Sequence, residues 1–160
     1  MVPGGQERSD PGKGPGGQER SDPGKGPGGQ ERSDPGKGAS VAEQIAAARA
    51  YIDALVSHRA DHVPFAPDCT RIEVGLKTGF SGDHLRRSLN RGPQYRVIAS
   101  VTDPEFSVAG DEVHARFDLV TKPSLAGRSV GARIDETFLI PASDGLIHHI
   151  RVSIRPFLTR

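Results

Sequence analysis

The chain is poor in the residues that staple, ligate or anchor. It has one cysteine, one methionine, no tryptophan, two tyrosines and six phenylalanines. With Cys69 as the lone thiol, an internal disulfide and any multi-cysteine metal site are excluded. No apolar stretch approaches the length of a membrane span, and the N-terminus has no apolar run, so neither a spanning helix nor a signal peptide is expected and a cytoplasmic protein is the default. Charge of one sign is also missing: 21 Lys and Arg face 20 Asp and Glu, which draws the chain toward neither nucleic acid nor a membrane. Glycine is abundant, but none of it follows a strand and opens a helix in a phosphate-binding pattern, so no cofactor is expected.

What is present begins with a repeat. Residues 3–38 are three verbatim copies of PGGQERSDPGKG, starting at Pro3, Pro15 and Pro27. No copy contains a side chain able to anchor a core, so the segment cannot offset its own ordering entropy. A period of twelve is too short and too apolar-poor for a stacked solenoid, and glycine does not fall at every third position as a collagen helix requires. Residues 1–38 therefore read as a disordered arm, whose identical copies point to recent tandem duplication. Residues 39–160 have the size of one domain.

That domain opens with a capping box, Ser40-Val41-Ala42-Glu43, followed by Val41, Ile45, Ala48, Ile52 and Leu55 at helical spacing. Pro64 and Pro67 interrupt the next stretch, where one short helical turn carrying Val63 and Phe65 is expected, before a short strand over 69–74. Ser81 caps a second helix with Leu85 and Leu89 inward, ending near Asn90-Arg91-Gly92. The period then becomes two. Tyr95, Val97, Ala99 and Val101 alternate, as do Val113, Ala115, Phe117 and Leu119, then Ile134, Phe138 and Ile140, then Leu146, Ile150, Val152 and Ile154. A further short strand is expected at Phe106 and Val108, turns at 109–111 and 143–145, and a longer hairpin loop at 123–127. The layout is α+β.

A bent sheet wrapped around the long helix would bury both apolar sets and leave a conical cavity. In this the chain resembles the NTF2-like superfamily, in its SnoaL-like and ketosteroid-isomerase-like branches. The stretches that carry the resemblance are Tyr51-Ile52-Asp53 leading to Phe65-Ala66-Pro67-Asp68-Cys69-Thr70, and Glu136-Thr137-Phe138 leading through Asp144-Gly145 to the last strand. The chain is also similar to short uncharacterised actinobacterial members of that superfamily. The resemblance implies a cone of curved antiparallel sheet around the N-terminal helix, and a homodimer through one face of that sheet.

Glu136 is the chemical anomaly, because it shares a strand face with Ile134, Phe138 and Ile140. Desolvation there would keep the carboxyl protonated and able to donate to a developing oxyanion, unless an arginine on a neighbouring strand pairs with it. Asp135 is its immediate rival. The resemblance sets Glu136 near the family's oxyanion-hole acid, Tyr51 at its oxyanion-hole tyrosine and Glu73 at its general-base position, where the family's familiar residue is Asp. Tyr51 could instead pack at the core margin, and Arg71 on the same strand face could hold Glu73 as a structural ion pair. His148 interrupts the apolar face of the last strand and, with Phe117 and Phe138, is a candidate to line the cavity. His58 and His62 are four apart, but Pro64 and the lack of a third ligand argue against a metal. The function expected is binding of an apolar small molecule, with acid/base isomerisation, cyclisation or dehydration; the alternative is a non-catalytic carrier or dimerisation module.

Overall fold

The computed structural model describes residues 37–122 and 129–158; the repeat arm through residue 36 and the loop expected at 123–127 lie outside the described residues. Helix α1 spans Val41–Ser57. Its capping box forms: Glu43 N donates to Ser40 Oγ at 3.3 Å, and Ser40 N donates to Glu43 Oε2 at 2.6 Å. It ends at His58, which takes the left-handed conformation (φ 55°) and donates its N–H to Ala54 O. The helix buries Ala47, Ala48, Tyr51, Ile52 and Leu55. Gln44, buried on the same helix, donates from Nε2 to Ile140 O at 2.7 Å and to Gly110 O at 3.3 Å, fixing the start of α1 to the sheet.

The strands are β1 (Phe65–Glu73), β2 (Leu76–Gly79), β3 (Ile98–Val101), β4 (Glu105–Ala109), β5 (Glu112–Thr121), β6 (Val130–Leu139) and β7 (Ile147–Leu158); α2 (Gly82–Arg91) and the single turn α3 (Pro93–Arg96) lie between β2 and β3. They form one curved, unclosed sheet in the order β2-β1-β7-β6-β5-β3, with β4 also on β5. Every pair is antiparallel except β1 with β7. The expected antiparallel sheet is thus a mixed one. Alternation within a strand reports which faces are buried and carries no information on the direction of the neighbour.

Four local expectations change. The short turn of helix at 58–68 is replaced by an early start of β1 at Phe65, because Pro67 sits exposed in a bulge between the Phe65–Ile147 and Thr70–His149 pairings, where its missing N–H breaks no bond. Strand β2 was not expected at all. It returns through Val74-Gly75, both at positive φ (48° and 80°), a mirror-image hairpin turn in which a β-branched residue is an outlier. The alternation expected from Tyr95 is interrupted by α3, so that Ile98, not Val97, points inward. In β7 two residues separate the buried Ile147 and Ile150, so the buried strand positions start at Ile147 and exclude His148, while Leu146, ahead of the strand, is only partly buried against the core.

The core lies between α1 and the concave face of the sheet, where Val113, Ala115 and Phe117 of β5, Ile134 and Phe138 of β6, and Ile150 and Val152 of β7 are buried. The opposite face is a ladder of charge: Arg116 binds Asp135 at 2.7 Å, Arg133 binds Asp118 at 3.0 Å, and Arg155 reaches Asp135 at 3.4 Å. No helix among the described residues is long and apolar enough to cross a membrane.

Candidate functional site

A cavity of about 520 Å³ opens beside the C-terminal end of α1. Its walls are apolar: Leu55 from α1, Phe117 and Leu119 from β5, Ile134 from β6, Val152 and Ile154 from β7. Its polar end is built by Arg71 and Glu73 of β1, Thr78 of β2, Tyr95 of α3 and Glu136 of β6. Pairing registers explain the convergence. Glu73 lies opposite Val152, and Val152 opposite Glu136, so the two carboxyls stand in one row across three strands, roughly 10 Å apart at the backbone. Arg71 occupies the adjoining row with Ile150 and Phe138.

Arg71 is 6% exposed and is the hub. Its Nη1 lies 2.9 Å from Glu73 Oε2, donates to the Tyr95 hydroxyl at 2.8 Å and reaches Thr78 Oγ1 at 3.5 Å. The guanidinium also rests over the Tyr95 ring, 5.8 Å from its centroid. Burial opposes its charge, but the surrounding phenols and carboxyls outweigh that and hold it protonated. Its Nε nevertheless has no hydrogen-bond partner. Such a buried donor is costly unless something accepts from it.

Glu136 is 3% exposed, and its Oε2 has no partner either. Burial pushes its carboxyl up to about 8; Arg71 pulls it down and Glu73 pushes it further up, but desolvation dominates. At neutral pH the group is a buried carboxylic acid, a proton donor facing a mostly apolar space. Its neighbour Asp135 points to the other face, where Arg116 and Arg155 neutralise it.

The remaining candidates separate. Phe117 lines the cavity. Tyr51 is fully buried and does not line it; its ring meets Phe138 edge-on at 5.3 Å and Phe65 at 6.1 Å, and its hydroxyl has no partner. Burial pushes the phenol up, Arg71 pulls it down and Glu136 pushes it further up, with burial dominant. Phe138 is fully buried against Tyr51 and forms part of the core, not of the lining. His148 is off the cavity: the two-residue step between Ile147 and Ile150 turns it outward, and Asp144 of the preceding turn takes its Nε2 at 2.7 Å, with Asp68 at 3.9 Å from Nδ1. The Leu146 N–H and then His148 hold the Asp144 carboxyl below its ordinary range.

Two members of the site were not singled out as functional from sequence. Tyr95 was hidden by a false strand alternation. The sequence offers Arg71 only as a partner for Glu73, and its place two residues after the apolar Cys69, on the inward face of the strand, is the signal that it is buried. Cys69 itself is buried, and burial pushes its thiol up to about 12, which leaves it unreactive. Among the described residues no group of three His, Cys, Asp or Glu side chains is arranged to hold a metal ion.

Solved structures share this architecture. An LEH-like epoxide hydrolase of M. tuberculosis is 20% identical with a TM-score of 0.58, the match covering 71% of this chain and 84% of that one. TsrD from Streptomyces laurentii is 19% identical, with a TM-score of 0.56 over 72% and 90% of the two chains. An NTF2-like protein from Burkholderia xenovorans LB400 is 15% identical, with a TM-score of 0.55 over 74% and 93%. At such identities the likeness establishes the fold, which is that of the NTF2-like superfamily. No curated protein matches the chain. The family model described as "Domain of unknown function (DUF8021)" matches residues 37–154, and the chain belongs to that family.

Proposed function

We propose that the protein binds a small, mostly apolar molecule carrying a carbonyl or ether oxygen, and that it performs acid/base chemistry of the isomerase, cyclase or dehydratase kind on it. The observation that carries this reading is the unpartnered Oε2 of Glu136, buried at the end of an apolar cavity in a carboxyl pushed up to about 8. A neutral acid in that position donates to the ligand oxygen. Arg71 Nε–H is a second buried donor without a partner beside it. With Glu136 protonated, Arg71 and Glu73 cancel and the polar end is neutral, which favours an uncharged ligand over an anion.

In the catalytic step Glu73 takes a proton from the carbon next to the ligand carbonyl. The bonding pair moves into the carbonyl and the developing oxyanion is met by the Glu136 proton. Return of a proton to a different carbon completes an isomerisation. Tyr51 acts as a positioning residue through the field of its hydroxyl. The same reading has two copies joined through the outer face of the sheet. Support for that comes from the alternating Arg116, Asp118, Arg133 and Asp135, which a two-fold copy can meet with opposite sign.

A non-catalytic carrier is the second reading, and the 2.9 Å Arg71–Glu73 ion pair favours it, because a carboxylate engaged by a guanidinium is not free to reach a ligand proton. Binding of prodan, a fluorescent ketone that can only accept hydrogen bonds, tests the shared part. Binding should be retained below about pH 8 and lost above it as Glu136 ionises. Glu136→Gln should remove that pH dependence while keeping the fold. Binding unchanged through pH 9, on the order of one unit above the transition, would overturn the role of Glu136.

A further inference from the structure

The entrance of the cavity is built unlike the rest of the surface. Val74, Leu76 and Val97 line the cavity and are 66%, 71% and 51% exposed, so the apolar lining continues outward into solvent. Val74 holds this position at a positive φ of 48°, a conformation that β-branched residues avoid. A strained, exposed valine at a turn where Asn or Gly would be relaxed indicates a use for its side chain.

Cations flank these three residues. Lys77 follows Leu76 on the other face of β2 and carries its Nζ over the exposed Phe80 ring, 5.3 Å from its centroid; Arg96 precedes Val97, and Lys122 is tied to Val97 by a backbone bond of 2.8 Å from its N–H to the Val97 carbonyl. All three are exposed, and none forms an ion pair among the described residues. Among the described residues the acids lining the cavity are Glu73, paired with Arg71, and Glu136, protonated at neutral pH. The balanced charge of the whole chain therefore conceals a local excess of positive charge around an apolar opening. On the outer face of the sheet, by contrast, arginines and aspartates are matched.

We propose that this rim docks on an anionic lipid surface, and that the apolar ligand enters the cavity from that surface. A second copy of the chain is a poor occupant, since face-to-face rims would bring like charges together. The repeat arm is a poor occupant too, because its copies contain no Leu, Ile, Val or aromatic residue to cover Leu76 and Val97. A lipid interface supplies both components: acyl and glycerol regions for the three apolar tips, and headgroup phosphates for the three cations. Docking is peripheral and reversible, because the apolar area is small. The entry of ligand rests on the apolar-binding reading of the cavity; the docking itself does not.

The test is sedimentation of the full chain with vesicles of phosphatidylcholine alone or of phosphatidylcholine with phosphatidylglycerol. Binding to the anionic vesicles should be at least about tenfold stronger and should weaken as salt is raised. K77E/R96E/K122E should abolish the preference and L76S/V97S should lower binding to both vesicles, with R96E alone giving a partial loss if the triple variant is unstable. Equal partition onto both vesicles, or full binding by the charge-reversed chain, overturns the proposal. Failure to bind either vesicle, with capture of an acidic polypeptide through the same residues, overturns it in favour of a protein partner. Glu136→Gln separates the two readings: it should bind vesicles like the parent, so docking can stand where prodan binding shows the cavity reading to be wrong.

Discussion

Glu73 and Glu136 stand in one row on either side of Val152, yet Arg71 bonds directly only to Glu73. Glu73 is partly exposed and paired at 2.9 Å, whereas Glu136 is buried with an oxygen that has no partner. The buried member of the row is thereby a proton donor at neutral pH, while the other is engaged by a guanidinium.

Stability should fall with rising pH because of Glu136. Below the ordinary glutamate pKa of about 4.3 both folded and unfolded chains hold the proton, so the group has no effect. Between there and about 8 only the native state holds it, so stability declines by up to about 1.4 kcal/mol per pH unit, and above about 8 no further loss follows. Urea titrations from pH 5 to pH 9, roughly spanning that window, should show the decline, and Glu136→Gln should flatten it.

Arg71→Met should raise the titration of Glu136 beyond about 8, because the guanidinium is what pulls it down. The same change strands Glu73 and empties a buried guanidinium site, at a cost of roughly 2–4 kcal/mol. Infrared titration of the carboxyl band reads the first effect and thermal melting the second. A Glu136 titration unmoved by the substitution would mean that the two groups do not interact.

Gly82→Ala should destabilise although it lies in a helix. A Cβ on Gly82 would sit 2.5 Å from the Ala66 carbonyl oxygen and 3.0 Å from Phe65 Cβ, a contact with backbone that cannot swing aside. The start of α2 would have to lift from β1, costing about 1–3 kcal/mol. Melting that is unchanged or higher would show that α2 can shift freely.

Dimerisation through the charged outer face should be salt-sensitive. Light scattering at tens of micromolar, on the order of assay concentrations, should report a dimer at low salt that dissociates at about 1 M. Arg116→Asp should weaken it by placing like charges together. A monomer at every ionic strength would remove the dimer.

The two longer helices and the long strands were legible because their signals are local: the Ser40–Glu43 box caps α1, Ser81 caps α2, β5 alternates from Glu112 to Phe117, and β6 alternates from Ala132 to Phe138. The inward placement of Glu136 followed from the same alternation. What could not be read were features set by tertiary context. The parallel β1–β7 pairing, the bulge at Pro67 and the two-residue step at His148-His149 all depend on which strand lies alongside, and a single step of this kind turns a side chain to the other face. The role of Arg71 depends on Tyr95 and Thr78, which arrive from elements that sequence either misassigned or missed.

Because β7 lies between β1 and β6, the polar end of the cavity has no existence in a nascent chain. Arg71 and Glu73 are synthesised early and Glu136 late, but nothing brings their strands together until Val152 and its neighbours have left the ribosome. Before then β1 and β2 can pair only with each other, and the row from Glu73 to Glu136 has a gap where Val152 belongs. Formation of the site is thus tied to completion of the most non-local pairing in the sheet, which makes it a late event in folding. A chain interrupted within β7 would retain local hairpins and helices, the Arg71–Glu73–Thr78 group among them, while lacking the row that brings Glu136 to it.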